Sequence, residues 1–137
     1  MLIVVRLVSG SAPFKPTEKT IVKNHTFKVK VAQTDDEKQI GLSETKNLPA
    51  DYAMIFPFGQ SGYYPFWMKN MKFPIDIIYI NNNKVVKVFK NVPTPKGQGA
   101  LRIYVSQTPA DTVLEIQAGL SDKYQIKEGD SITIQKI

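Results

Sequence analysis

The stretch Pro74-Ile75-Asp76-Ile77-Ile78-Tyr79-Ile80-Asn81-Asn82-Asn83-Lys84-Val85-Val86-Lys87-Val88-Phe89-Lys90 decides the fold class. Ile75 to Ile80 is apolar on both faces and short, which marks a central, buried strand. Asn81-Asn82-Asn83 is a turn, because Asn tolerates left-handed backbone. Lys84 to Lys90 returns as a second strand, so the pair predicts a β-hairpin. One residue breaks the apolar run: Asp76. A buried carboxylate is costly unless it is paired or hydrogen-bonded.

Outward from the hairpin the same grammar repeats. Phe27, Val29 and Val31 alternate with Lys28 and Lys30, which predicts a half-buried strand. Thr34 with Glu37 three residues on forms a capping box and opens a short helix that stops near Gly41. Ala53 to Phe56 is predicted as a strand cut by Pro57, and Phe58 to Tyr64 as a glycine-bearing loop. Phe66-Trp67-Met68 and Leu101 to Val105 are predicted as short strands around a long loop at 91–100. Thr112 to Gln117 is a strand, Ser121 caps a short helix to Tyr124, and Gly129-Asp130 turns the chain. Ser131 to Lys136 alternates again, with Ile132 and Ile134 inward. Turn signals every 8–12 residues with seven or eight strands favour a sandwich or barrel.

Composition bounds the chemistry. The chain has 137 residues, enough for one domain. Its 42% hydrophobic content is enough for a packed core. With no Cys there is no disulfide framework, thiolate metal site or cysteine nucleophile. The single His25 leaves one candidate for a triad, and no Gly-x-Ser-x-Gly elbow accompanies it. Net charge is +6, but only two of the 18 basic residues are Arg, so nucleic acid is disfavoured as a partner. Lys84, Lys87 and Lys90 read better as solvated lysines that guard a sheet edge.

The N-terminus reads separately. Leu2 to Val8 is too short to span a bilayer. Followed by Ser9, Gly10, Ser11, Ala12 and Pro13, it looks like the tail of a signal peptide without its basic start. Residues 1–19 are therefore predicted as an arm or leader remnant, residues 20–137 as the domain, and the location as outside the cytoplasm. Asn24-His25-Thr26 matches a glycosylation sequon, a motif short enough to recur by chance.

Gly41-Leu42, Met54-Ile55-Phe56, Phe66-Trp67-Met68-Lys69-Asn70 and Pro74 to Ile80 together resemble the domain-of-unknown-function family numbered 192. Val113-Leu114-Glu115, Ala118-Gly119 and Gly129-Asp130 extend the resemblance over residues 26–137. The resemblance implies an all-β, single-domain β-sandwich of jelly-roll type with one or two short helices, often behind a signal peptide or lipoprotein leader. It implies no established activity. Gln117 departs from the family's usual Asn, and the 91–100 loop lacks the cysteines many members carry.

Six residues form the candidate site: Tyr64, Trp67, Lys69, Asn70, Asp76 and Glu115. The aromatics offer a stacking floor, Lys69 and Asn70 a cation and an amide. Asp76 would position Lys69, or organise a turn through Lys69, Lys72 or backbone N–H groups. In the 112–117 strand, Glu115 shares a face with Val113 and Gln117. The leading expectation is a non-enzymatic extracytoplasmic binding module for a small ligand or a polymer, its partner a small molecule, glycan or protein, with no metal or cofactor. The first alternative is an enzyme using Asp76 and Glu115 as acid and base. The second is an assembly protein whose arm adds a strand to a neighbour's sheet.

Overall fold

The computed structural model describes residues 14–97 and 99–136. In chain order the elements are β1 Glu18–Val22, β2 His25–Val31, α1 Asp35–Ile40, β3 Tyr52–Gly62, β4 Ile75–Asn81, β5 Lys84–Val92, β6 Ala110–Gln117, α2 Leu120–Lys123 and β7 Ile132–Lys136. The leader-like run at residues 2–12 lies outside the described residues. β1 begins at Glu18, within the last residues assigned to the arm, and pairs inside its own sheet with β2 and β7.

All seven strands join one sheet in the order β5-β4-β6-β3-β2-β1-β7. The all-β class holds, but the ladder is not divided into the two sheets of a jelly-roll sandwich. Instead the two outer strands meet. Ile132 donates its N–H to the Asn83 carbonyl at 2.8 Å, Val85 to Asp130 at 2.9 Å and Gly129 to Val85 at 2.8 Å. The sheet therefore curls until its ends touch, as a barrel does. Six strands were readable because period-2 alternation is local, whereas β1 was not expected as a strand. Pairing was not readable: β2 and β3 run parallel over Lys28–Val31 and Tyr52–Ile55, a partnership no local pattern announces.

Curling gives the sheet an inside and an outside. Every strand sends at least one residue to the inner core, among them Val22, Phe27, Ile55, Ile80, Val85, Leu114 and Ile132. Leu120 and Ile126, in and after α2, close that core. A second core lies on the outer face of β3, β4 and β6. There Met54, Phe56, Ile77, Tyr79 and Val113 pack under Leu42, Leu48, Met68 and Tyr104 from the connecting segments. This explains why β4 is buried along both faces from Ile75 to Ile80.

Local expectations hold where local chemistry dominates. Thr34 Oγ1 accepts from the Glu37 N–H at 3.1 Å, and Glu37 accepts from the Thr34 N–H at 2.8 Å, completing the capping box. Asn82 and Asn83 take φ of +49° and +61°, the pair of left-handed residues a tight hairpin needs.

Four expectations change. β3 runs through Pro57 to Gly62 with a bulge, because β2 pairs with it only as far as Ile55 and the strand then tolerates a proline. The two short strands at 66–68 and 101–105 reduce to one bridge, Phe66 to Tyr104. Gly119, not Ser121, precedes α2, with φ of +93°. Ile134 is 36% exposed, because the bonds between the outer strands end at Ile132.

Candidate functional site

The outer face of β6 carries Glu115, flanked in register by Met54 on β3 and Ile77 on β4. Above it lies a cavity of about 300 Å³. Phe56, Phe58 and Phe66 supply its apolar wall, with Leu42 and Met71 from the connecting segments. Tyr64, Trp67, Lys69 and Glu115 line it together, so four of the six expected residues converge.

Each wall has a local cause. The extension of β3 carries Phe58 under Tyr64, and the rings stack at 3.8 Å with 8° between planes. Gly62 permits this: a Cβ there would sit 3.2 Å from the Tyr64 ring. Tyr64 donates its hydroxyl proton to the Gln60 carbonyl at 2.8 Å. Phe66 stands edge-on to Phe56 at 4.9 Å. Trp67, 42% exposed, sits at the mouth with the Lys69 ammonium 5.3 Å from its ring. The opposite rim comes from the end of α1 and the turn after it. Lys38 places its ammonium 5.4 Å from the Phe58 ring. Lys72 donates to the Ser43 carbonyl and holds the two rims together.

Glu115 is the polar group at the bottom. It is 5% exposed, and its Oε2 has no hydrogen-bond partner. Burial raises its carboxyl to about 8, so at pH 7 it is mostly the neutral acid. Tyr79, on the same face, is pushed up by burial and then by Glu115. Its hydroxyl lies 2.6 Å from the Tyr64 carbonyl and 2.9 Å from that of Tyr104, fixing both segments over the sheet.

Asp76 is elsewhere. Its register partner is Ile116, on the inner face, while Glu115 faces out. The sheet thus separates the two carboxyls that the alternative reading paired as acid and base. Asp76 Oδ1 accepts the N–H of Asn91 at 2.7 Å and of Gly119 at 3.2 Å; Oδ2 accepts that of Ser121 at 2.8 Å. Asn91 and Gly119 both have positive φ. The carboxylate therefore fastens the end of β5 and the start of α2, using backbone N–H groups, and does not bond Lys69. Asn70 is exposed with φ of +61° and stands outside the cavity lining; its carbonyl accepts from Lys72 at 3.2 Å.

His25 stacks on Tyr124 at 3.8 Å. Burial, opposed by Asp51, lowers its pKa. Lys84, Lys87 and Lys90 lie on β5, an outer strand, which fits edge protection. Among the described residues no three His, Asp or Glu side chains gather as a metal-holding group. Among them also, no helix is long and apolar enough to cross a membrane.

The sequence reading missed the rim from Lys38 to Ser43. The signal available was Ile40, an apolar residue left 44% exposed on a short helix, beside the Gly41-Leu42 pair. Gly41 has φ of +51° and turns the chain toward Phe56.

No curated protein matches the chain. A protein of unknown function from Novosphingobium aromaticivorans has a similar crystal structure, with a TM-score of 0.76 and 28% identity over 84% of this chain and 83% of that one. A crystal structure of a candidate transcription regulator from Sinorhizobium meliloti has a TM-score of 0.77 over 89% of this chain and 97% of that one, and at 22% identity shares the fold alone. Residues 17–134 match the DUF192 family, described as Uncharacterized ACR. The chain belongs to that family.

Proposed function

We propose that the chain is a small-ligand binding module whose site is the cavity on the outer face of β3, β4 and β6. One observation carries this reading: Glu115, whose Oε2 is buried and unpartnered, lines that cavity. Leaving such an atom unpaired costs about 1–3 kcal/mol. A fold keeps that cost where a ligand or water repays it. The cavity, about 300 Å³, is at the small end of ligand sites, which favours a compact molecule over a polymer. The separation of Asp76 from Glu115 weighs against two-carboxyl acid–base catalysis.

A thermal-shift screen of the whole chain tests this. A ligand at 100 times its Kd adds about 2.7 kcal/mol. The expected result is a hit that Trp67→Ala abolishes while the variant keeps the native unfolding midpoint. A library of metals, sugars, nucleotides and small acids that gives no shift contradicts it. So does a hit that Trp67→Ala and Glu115→Gln leave unchanged.

A further inference from the structure

The cavity has different chemistry at its two ends. At the bottom, Glu115 presents one carboxyl and little else that is polar, between Met54 and Ile77. At the mouth stand the Lys69 ammonium and the exposed ring of Trp67, and on the opposite rim Lys38, whose ammonium donates to the Gln33 carbonyl at 2.9 Å. Between the two ends the wall is mostly aromatic and aliphatic, with Gln39 and Ser43 as the neutral polar side chains of the α1 rim. A sugar would bring hydroxyls against Phe56, Phe66 and Leu42, where they find no partners. A cationic amine would pass two lysines on a chain of net charge +6. What fits is an apolar ring with opposite polar ends.

We propose, building on the binding-module reading, that the cavity takes a compact aromatic acid: its anionic group on Lys38 and Lys69 at the mouth, its ring against Phe56, Phe66 and Trp67, and a hydroxyl or carbonyl at the far end hydrogen-bonded to Glu115. The neutral acid can both donate one hydrogen bond and accept another, which matches a hydroxyl. Burial supports this by holding the Glu115 carboxyl near 8. Of the titratable groups on the neighbouring elements, Tyr79 on β4 is coupled to Glu115, while Tyr64 after β3, Lys38 on α1 and Lys69 after Trp67 line the same cavity. Ionising Glu115 removes the donor and places a second negative charge in the cavity, so binding weakens as pH rises through about 8.

Trp67 is the chain's single tryptophan, so its fluorescence reports on the cavity mouth. The experiment titrates the full chain at pH 7 with 4-hydroxybenzoate, benzoate, 4-hydroxybenzyl alcohol and tyramine. The expected order places 4-hydroxybenzoate first, with benzoate and the alcohol each about tenfold weaker, and tyramine last. In Glu115→Leu the two acids bind alike. In Lys38→Ala/Lys69→Ala the acids weaken and the alcohol does not. If Glu115→Leu fails to fold, the order on the native chain still decides. Tyramine or the alcohol binding as tightly as the acid overturns the ligand class and leaves the binding-module reading standing. Silence from all four also overturns the class, and the broader thermal-shift screen then shows whether the cavity binds anything.

Discussion

Asp76 and Glu115 are the two buried acidic residues among the described residues, and they sit on opposite faces of neighbouring strands. Asp76, on the inner face, receives three backbone N–H groups. Glu115, on the outer face, has an oxygen with no partner at all. The first arrangement is finished: both oxygens are used to hold β5 and α2 in place. The second is unfinished, and its residue lines a cavity. A buried carboxyl therefore says little about function until its lone pairs are accounted for. Satisfied by backbone, it is a fastener; unsatisfied beside a cavity, it is a place for something else to bind.

The largest test of the contrast removes the fastener. Asp76→Ala leaves three N–H groups without their acceptor, and stability falls by about 3–5 kcal/mol in urea unfolding, or the variant fails to fold. A loss under about 1 kcal/mol would mean that water replaces the carboxylate and that the inner face is not the finished one.

Glu115 gives a smaller effect with a distinctive pH signature. Its folded pKa, about 8, lies above the ordinary value of 4.5, so the native state holds a proton the unfolded chain has lost. Stability is then greatest below about 4.5 and falls as pH rises toward 8, by at most about 1.4 kcal/mol per pH unit. Glu115→Gln removes that slope. Urea midpoints of both proteins between pH 5 and 8 measure it; parallel curves would erase the contrast.

Trp67→Ala should cost stability little, within about 0.5 kcal/mol, because the ring is 42% exposed. Its effect belongs to ligand binding. A large loss of stability would make Trp67 a core residue and not part of the mouth. Smallest of all, Lys90→Ala breaks an exposed ion pair with Asp122, 2.7 Å long, beside the Asp76 fastener. No measurable shift in the unfolding midpoint is expected. A clear shift would show that the fastening of α2 depends on more than Asp76.

The hairpin at 75–90, the capping box and the alternation of β2 and β6 were legible because each rests on residues a few positions apart. The same period placed Glu115 opposite Leu114 and Ile116, and this holds. Backbone N–H groups were among the expected partners of Asp76, and they are the ones it uses. What local pattern could not supply was which strand lies beside which. The parallel β2–β3 pair and the meeting of β5 with β7 join segments far apart, and the β4–β6 register, which sets Asp76 opposite Ile116, decides that Asp76 and Glu115 point apart. Two expected site residues, Asn70 and Asp76, were near in sequence but not in the cavity. The rim at Lys38 to Ser43 was far in sequence and is in it.

The most direct test is a carboxyl NMR titration of Glu115 in the full chain, with Glu115→Gln to assign its signal. The account predicts a midpoint near 8, moving higher when 4-hydroxybenzoate is added. A midpoint in the ordinary carboxyl range, unmoved by the acid, would show that Glu115 is solvated and ionised at pH 7, and would contradict the reading of this cavity as a binding site built around it.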